Sequence, residues 1–175
     1  MKLKELKNGF LKNDLYVPLD ESNSDYQEIK KYIADGGEYE KFDWLADAKA
    51  QKINELTNFH DSKEVKYLTI KVGNLQTGIF VNQEYRYLID EQRELLAIRK
   101  DAGEANPTWL YQNGITLPLD LKTLNQIRLY IGKLTDDNFR ARSNNIKAIN
   151  AFKTIEELDK FDIKTGYRIN QILTF

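Results

Sequence analysis

Residues 108–118 read TWLYQNGITLP, and residues 119–152 continue with LDLKTLNQIRLYIGKLTDDNFRARSNNIKAINAF. The pair Asn113-Gly114 lies between two apolar runs. It is the strongest short signal for a two-residue hairpin loop, because both loop residues must adopt positive φ angles. The sequence therefore predicts a hairpin in which Leu110 pairs with Leu117.

A long helix is predicted directly after this hairpin. Pro118 ends the second strand, and its fixed φ angle suits a position near a helix start. Apolar residues then recur at helical spacing, which predicts a helix from about Leu119 to Ala151; they are Leu121, Leu124, Ile127, Ile131, Leu134, Ile146, Ile149 and, just beyond the helix, Phe152. The polar span from Thr135 to Asn145 indicates either a kink or a part of the helix that leaves its own domain.

The chain length and composition limit the class of protein. With 175 residues, of which 41% are hydrophobic, the chain can form one core, or one core and a small satellite. It contains no cysteine, so disulfides, thiolate nucleophiles and thiolate metal sites are excluded. The segment Met1–Lys7 lacks the apolar run of a signal peptide, and no segment approaches the roughly 20 apolar residues that span a bilayer. The sequence predicts a soluble protein without a membrane partner.

The near-neutral net charge of −1 conceals an uneven distribution. Residues 13–47 contain ten acidic and three basic residues, whereas residues 118–153 contain seven basic and three acidic ones. One interpretation is solvated faces without a partner. The other is that the acidic part packs near the basic helix, within one chain or between subunits.

The N-terminal part is predicted to consist of a leader and one short helix. Met1–Pro18 mixes lysines with apolar residues and is broken at Asn8-Gly9, which predicts a poorly fixed or partner-ordered segment. Asn23-Ser24 caps the helix and Gly36-Gly37 ends it. Its apolar face consists of Tyr26, Ile29, Tyr32 and Ile33. We expect a domain boundary that separates residues 1–42 from an α+β domain over residues 43–175.

Two more helices and a second hairpin precede residue 104. Asp43 is expected to cap a helix from Trp44 to about Asn58. Gly73-Asn74 predicts a hairpin turn that places Leu68 opposite Ile79. Asn82 caps an amphipathic helix that ends at about Asp101; its inward residues are predicted to be Tyr85, Leu88, Ile89, Leu95, Leu96 and Ile98.

The C-terminal part is predicted to contain a short helix and one added strand. Thr154 and Glu157 match a capping box. The tail from Tyr167 to Phe175 has partly alternating apolar character, which is typical of a strand. The predicted fold class is therefore α+β and mostly helical, with two short hairpins packed on the long amphipathic helices 83–101 and 119–151.

No catalytic, cofactor-binding or metal-binding residues are predicted. His60 is the only histidine, and its position at a helix end favours a C-terminal cap or an exposed side chain. No serine lies in a Gly-x-Ser-x-Gly turn. Acid–base catalysis needs two carboxylates in unlike environments, whereas neighbouring acids on a charged helix remain solvated; the neighbouring acids are Asp136-Asp137, Glu156-Glu157 and Glu38 with Glu40. Phosphate-binding and calcium-binding loops are absent from the sequence.

Two sets of side chains are candidates for partner binding. On the long helix, basic residues could contact phosphates, which makes nucleic-acid binding an alternative function, although aromatic residues for base stacking are not interleaved with them; these residues are Arg128, Lys133, Arg140, Arg142 and Lys147. Exposed aromatic side chains at Tyr39, Trp44 or Tyr167 would suit contacts to a protein or a glycan. A glycan-binding or glycan-modifying protein is thus a further alternative.

Residues 23–37 read NSDYQEIKKYIADGG and precede an acidic, aromatic spacer. This stretch resembles a short helix near the N-terminus of many bacteriophage tail-fibre and tail-fibre-assembly polypeptides, with the pattern Asn-x-Asp-Tyr-x and a final Trp-Ile/Leu-Ala-x-Gly. Tyr32 stands where that family usually has tryptophan. Lys41 stands where a proline often precedes the final aspartate.

Residues from about Asp47 to Tyr167 resemble an uncharacterised domain family that recurs at the C-terminal end of such phage proteins. The matching landmarks follow the family's order; they are Lys49–Leu56, Gly78–Asn82, Trp109–Leu117, Asn145–Ile149 and Thr154–Ile163. The family has no assigned catalytic residues, so the resemblance transfers none to this chain.

The resemblance implies a non-enzymatic phage or prophage tail protein, either a minor tail-fibre component or a tail-fibre assembly factor. Its partner would be a tail-fibre or other tail polypeptide, with a homo-oligomer as an additional mode of assembly. It would act in the bacterial host cytoplasm during assembly or in the virion tail. A chaperone of this kind covers an adhesive fibre segment with an aromatic surface and uses no cofactor.

Overall fold

The computed structural model describes residues 1–104, 110–112 and 115–175. The chain divides into two compact units, Met1–Ala50 and Gln51–Phe175. The predicted domain boundary after residue 42 lies eight residues before the division between Ala50 and Gln51. Helix α2, Trp44–His60, begins in the first unit and ends in the second.

The first unit is a small antiparallel sheet with one helix. Its strands are β1 (Leu3–Leu6), β2 (Gly9–Lys12) and β3 (Leu15–Pro18), in the order β1-β2-β3. Helix α1, Ser24–Ala34, packs on this sheet. The buried core consists of Leu3, Phe10, Val17 and Ile29, with Tyr26, Tyr32, Ile33 and Tyr39 packed around it.

The sheet gives regular structure to Met1–Pro18, for which the sequence predicted a poorly fixed or partner-ordered segment. The strands are joined by the two-residue turns Lys7-Asn8 and Asn13-Asp14. In the second turn both φ angles are positive, 50° at Asn13 and 68° at Asp14, as a primed hairpin turn requires. Four-residue strands are too short to show clear alternation, so the two turns are the only local signal of this sheet.

The predicted limits of α1 are confirmed. The Asn23 side chain accepts hydrogen bonds from the backbone N–H groups of Asp25 at 2.9 Å and Tyr26 at 3.1 Å. At the other end Gly36 has a φ angle of +83°, a left-handed conformation that glycine adopts without strain. The cap and the terminating glycine could therefore be read locally.

The second unit contains the remaining elements. After α2 the chain forms α3 (Lys63–Lys66), β4 (Tyr67–Val72), β5 (Leu75–Phe80), α4 (Gln83–Asp101), β6 (Leu110–Gln112), β7 (Ile115–Leu117), α5 (Leu121–Ala151), α6 (Ile155–Asp159) and β8 (Gln171–Thr174). One sheet has the order β5-β4-β8, and β6 pairs with β7. Helices dominate these small sheets, which confirms the α+β class.

The predicted hairpin registers are confirmed. Leu68 lies opposite Ile79, and Leu110 lies opposite Leu117. The loop Asn113-Gly114 lies outside the described residues. The tail also forms the predicted strand, and β8 pairs with β4 in parallel.

The predicted helix caps form as well. The side chain of Asp43 accepts a hydrogen bond from the Ala46 N–H at 2.9 Å, and that of Asn82 accepts one from the Tyr85 N–H at 3.0 Å. Thr154 and the acid three residues later form the capping box. Asp120 caps α5 through a 2.7 Å hydrogen bond from the Thr123 N–H.

The core of the second unit lies between the β5-β4-β8 sheet, α4 and α5. Its buried residues are Leu68, Ile70, Ile79, Val81, Ile89, Leu96, Leu117, Leu119, Leu124, Ile127, Ile131 and Leu134. The prediction for α4 is wrong at Leu88, Leu95 and Ile98, which are exposed. Only one narrow stripe of α4 faces the core, so the apolar residues on its other side remain in solvent.

Helix α5 continues through its polar middle, which corrects the idea that it leaves its domain there. Asn138 and Asn145 are only 3% and 4% exposed, and Ala141 between them is also buried. These residues follow i, i+3, i+7 spacing and therefore share one face of the helix. One face of the polar span is therefore buried, and the C-terminal segment covers it.

The two asparagines bind the backbone of residues 163–168. The Asn145 side-chain amide donates to the carbonyl oxygens of Ile163 at 2.8 Å and Thr165 at 3.1 Å. Asn138 donates to the Arg168 carbonyl oxygen at 3.1 Å and accepts from the Arg168 N–H at 2.8 Å. These bonds hold the segment against α5 just before it forms β8.

We predict that Asn145→Ala lowers the free energy of unfolding by about 1–3 kcal/mol, because the carbonyl groups of Ile163 and Thr165 lose their buried donor. Denaturant titration measures this change. Hydrogen exchange should also show faster exchange in β8. The neighbouring Asn144 is exposed, so Asn144→Ala is the matched control. Equal stability of the two variants would contradict the proposed hold on the C-terminal segment.

Candidate functional site

Three of the acids considered for catalysis form ion pairs or a helix cap. Asp137 forms an ion pair with Arg168 at 3.1 Å. Glu156 pairs with Lys160 at 2.7 Å, and Glu157 accepts the N–H groups of the α6 capping box. These acids lie on exposed or half-buried surfaces and do not face a common cleft.

His60, the last residue of α2, is half-buried, whereas the sequence predicted a cap or an exposed side chain. Its Nδ1 atom is 3.2 Å from the hydroxyl oxygen of Tyr167. The ring lies edge-on to Phe139, with centroids 6.3 Å apart. The histidine thus joins α2 to the C-terminal segment and to the middle of α5, which sequence spacing does not reveal.

A cleft of about 340 Å³ opens beside His60. Its walls come from the end of α2, α3, the start of α4 and the middle of α5. Three of the lining side chains, His60, Lys66 and Arg86, can carry positive charge, and none of the lining residues is acidic. Val65, Val81 and Leu134 supply apolar surface, and the exposed ring of Phe139 lies at the edge.

Arg86 is the least compensated charge in this cleft. Its Nη2 atom donates to the Thr135 hydroxyl oxygen at 2.5 Å, and that hydroxyl donates in turn to the Ile131 carbonyl oxygen at 2.9 Å. The Nε atom is buried without a hydrogen-bond partner. Within the part of the chain that the structure describes, no carboxylate lies within 4 Å of this half-buried guanidinium.

The pKa of His60 is lowered by burial and by the positive charges around it. Burial lowers this pKa first, and the positive charges of Lys66 and Arg142 lower it further, while Asp61 opposes them. Burial has the opposite effect on the Tyr167 hydroxyl, because its charged form is the deprotonated one, and raises its pKa to about 12. The positive charge of Arg142 opposes this rise. Both groups are therefore uncharged at neutral pH, and the fixed cations dominate the cleft.

The three aromatic candidates for partner binding lie in different surroundings. Tyr39 is half-buried in the core of the first unit, with its ring centroid 6.4 Å from that of Phe10. Tyr167 is half-buried and packs edge-on against Phe59. Trp44 is exposed and contacts Phe42. Only Trp44 presents a large free surface to a partner.

The arginine candidates on α5 do not share one surface. Arg128 bonds both carboxylate oxygens of Asp90 at 3.1 Å. Arg142 is half-buried, with Nη2 3.5 Å from the Thr57 hydroxyl oxygen. Arg140 is exposed together with Lys133 and Lys147, seven residues before and after it. The exposed basic row of α5 therefore consists of Lys133, Arg140 and Lys147 and does not include Arg128 or Arg142.

A larger apolar surface lies on α4. We define the α4 outer face as Tyr87, Leu88, Leu95 and Ile98, which are between 42% and 66% exposed. Leu88, Leu95 and Ile98 follow i, i+7, i+10 spacing, so they line up along the helix. Grouped apolar side chains at this exposure commonly mark a contact surface for another polypeptide.

Lys66 and Arg86 were not identified from the sequence as site residues. Arg86 is four residues before Asp90, a spacing that indicates an ordinary helical ion pair. Asp90 instead pairs with Arg93 at 2.7 Å and with Arg128. The local sequence does not indicate that Arg86 lacks an acidic partner, because Arg128, 38 positions after Asp90, pairs with Asp90 instead.

Metal binding, membrane insertion and known relatives give no further assignment. Among residues 1–104, 110–112 and 115–175, no group of three histidine or acidic side chains is arranged to hold a metal ion. No helix in these ranges has the length and apolar character needed to cross a membrane. Compared with protein-family models, curated proteins and solved structures, the chain matches none at a significant level.

We predict that Lys66→Gln raises the pKa of His60, because the substitution removes a positive charge that opposes protonation. NMR titration of the single imidazole measures this shift directly. Lys63 lies in the same short helix, is exposed and does not affect His60, so Lys63→Gln should leave the pKa unchanged.

The same shift has a consequence for stability. The folded-state pKa of His60 lies below its value of about 6.5 in an unfolded chain, so the unfolded state takes up the proton first. Stability should therefore fall as the pH decreases from 6.5 to the folded-state pKa, and it should fall less in Lys66→Gln. A His60 pKa that is identical in both lysine variants would contradict this account of the cleft.

Proposed function

We propose that this protein is a non-enzymatic phage or prophage tail protein that acts through protein–protein contacts. Within that class it is a minor tail-fibre component or a tail-fibre assembly factor. Its place of action is the bacterial host cytoplasm during assembly, or the virion tail. The resemblance of residues 23–37 and of the segment from Asp47 to Tyr167 to phage tail proteins supports this assignment.

The observation that carries the contact role is the α4 outer face. Leu88 and Leu95 are 42% and 45% exposed, and Ile98 is 66% exposed. Fully burying an exposed leucine side chain contributes roughly 1.5–3 kcal/mol, and less than half of Leu88 and of Leu95 remains to be covered, so a partner that covers both gains roughly 1–3 kcal/mol. Exposed Glu84 lies one turn before Leu88, and exposed Glu91 lies on the same face between Leu88 and Leu95. These acids favour a partner with basic residues beside its apolar contact.

The arrangement of acids and bases supports a non-enzymatic role. The cleft beside His60 is lined by cationic, amide and apolar groups, whereas Asp137 of the long helix forms an ion pair and Glu157 of α6 forms a cap. Hydrolysis of a glycan by two carboxylates requires that both carboxylates lie in one site and flank the glycosidic bond that is cleaved. We therefore assign the chain to binding rather than to turnover.

The test is co-expression with the tail-fibre polypeptide encoded beside this protein, followed by co-purification and mass measurement. We expect a defined complex and fibre that folds only when both chains are present. A fibre that folds normally alone and never binds this protein would contradict the proposal. Nucleic acid in the purified complex, removed by raised salt, would favour the basic row of α5 instead.

We predict that the double substitution Leu88→Ser and Leu95→Ser weakens the complex about tenfold, because covering the exposed parts of both leucines contributes roughly 1–3 kcal/mol in total. Titration calorimetry with the purified fibre polypeptide measures the affinity. Leu129 on α5 is 61% exposed, so Leu129→Ser is a control that removes a more exposed leucine from another helix. An unchanged affinity in the double variant would remove the α4 outer face from the interface.

A further inference from the structure

The cleft beside His60 has a charge imbalance that the contact role does not use. Lys66 reaches Asp61 at 3.4 Å and is thereby partly neutralised. Among the described residues, Arg86 has only the neutral hydroxyl of Thr135 as its hydrogen-bond partner. Arg142, farther along α5, is also half-buried and has no carboxylate within 4 Å among the described residues.

A half-buried guanidinium without an acid is costly, because burial removes water without supplying an opposite charge. Thr135 holds one edge of the Arg86 guanidinium in place, which fixes the direction of its remaining N–H groups. A planar guanidinium with free donors matches the oxygen geometry of carboxylates and phosphates. An anion in the cleft would therefore supply the charge that this part of the fold lacks.

The walls indicate what else the anion carries. Val65, Val81 and Leu134 form an apolar surface, and the Phe139 ring is 61% exposed at the edge. The volume of about 340 Å³ lies at the lower end of the range for small-molecule sites, roughly 300–1,000 Å³. The space suits a compact molecule with one anionic group and an aromatic or aliphatic body.

We propose that this cleft binds a small organic oxyanion, a carboxylate or a phosphate ester, with the anionic group on Arg86 and Lys66 and the apolar body against Phe139. The site is independent of the contact surface on α4 and of the assignment to phage tails. It concerns recognition only, and no bond is formed or broken.

The single histidine provides a direct reporter for this site. His60 lines the cleft, and no other imidazole contributes to the spectrum. We would titrate the full chain with benzoate and with phenyl phosphate at constant ionic strength, and follow the His60 ring protons by NMR. Benzamide, which has nearly the shape of benzoate without its charge, is the neutral control.

We expect a saturable shift of the His60 signals with at least one of the two anions and none with benzamide. Arg86→Gln should weaken binding at least about tenfold, because charge-assisted hydrogen bonds are about twice as strong as neutral ones. Lys63→Gln, an exposed substitution in the same helix as Lys66, should bind with unchanged affinity. Binding of only one anion would identify which oxyanion the site accepts.

Three results would overturn the proposal: no saturable shift with either anion, equal binding of benzamide, or unchanged affinity in Arg86→Gln. If Arg86→Gln does not fold, Phe139→Ala decides the question, because this ring is exposed and contributes little to the core. We expect Phe139→Ala to fold and to weaken binding of the aromatic anions severalfold. Full affinity in that variant would exclude the proposed placement.

Discussion

The pairing of two buried asparagines with a stretch of backbone is the interaction on which the second unit depends. Asn138 both donates to and accepts from Arg168, as a neighbouring strand would, and Asn145 donates to two carbonyl oxygens. An asparagine side chain carries the same donor and acceptor as a peptide group. A helix can therefore satisfy a segment of irregular backbone only where such side chains face it.

The hold on this backbone fixes the position of the last residues of the chain. Gly166 has a φ angle of 77°, and a side chain there would approach Ala141 on α5. The segment thus lies close against a small residue between the two asparagines. From there Tyr167 reaches His60, and β8 joins the sheet beside β4. Asn138 also lines the cleft, so the same residue closes the fold and forms part of the candidate site.

The distribution of ion pairs explains the uneven charge of the chain. In the first unit, lysines of the strands and turns pair with the local acids, including Lys4 with Glu40 at 2.6 Å and Lys12 with Asp25 at 2.8 Å. In the second unit Asp90 forms ion pairs with Arg93 and Arg128. Arg86 instead donates a hydrogen bond to the hydroxyl of Thr135. The positive charge beside His60 therefore arises because the nearby acid Asp90 pairs with other arginines, and not because basic residues are in excess there.

Local chemistry could be read directly from the residues: the helix caps at Asn23, Asp43, Asn82 and Thr154, the hairpin registers, and the apolar stripe of α5. Each depends on neighbours within a few positions, where backbone geometry dictates which residue types fit. The inward side of α4, the burial of Asn138 and Asn145, and the isolation of Arg86 depend on segments 20 to 50 positions apart. The periodicity of the sequence identifies the apolar and polar faces of each helix. Only tertiary packing determines which face is buried and which charged side chain forms an ion pair.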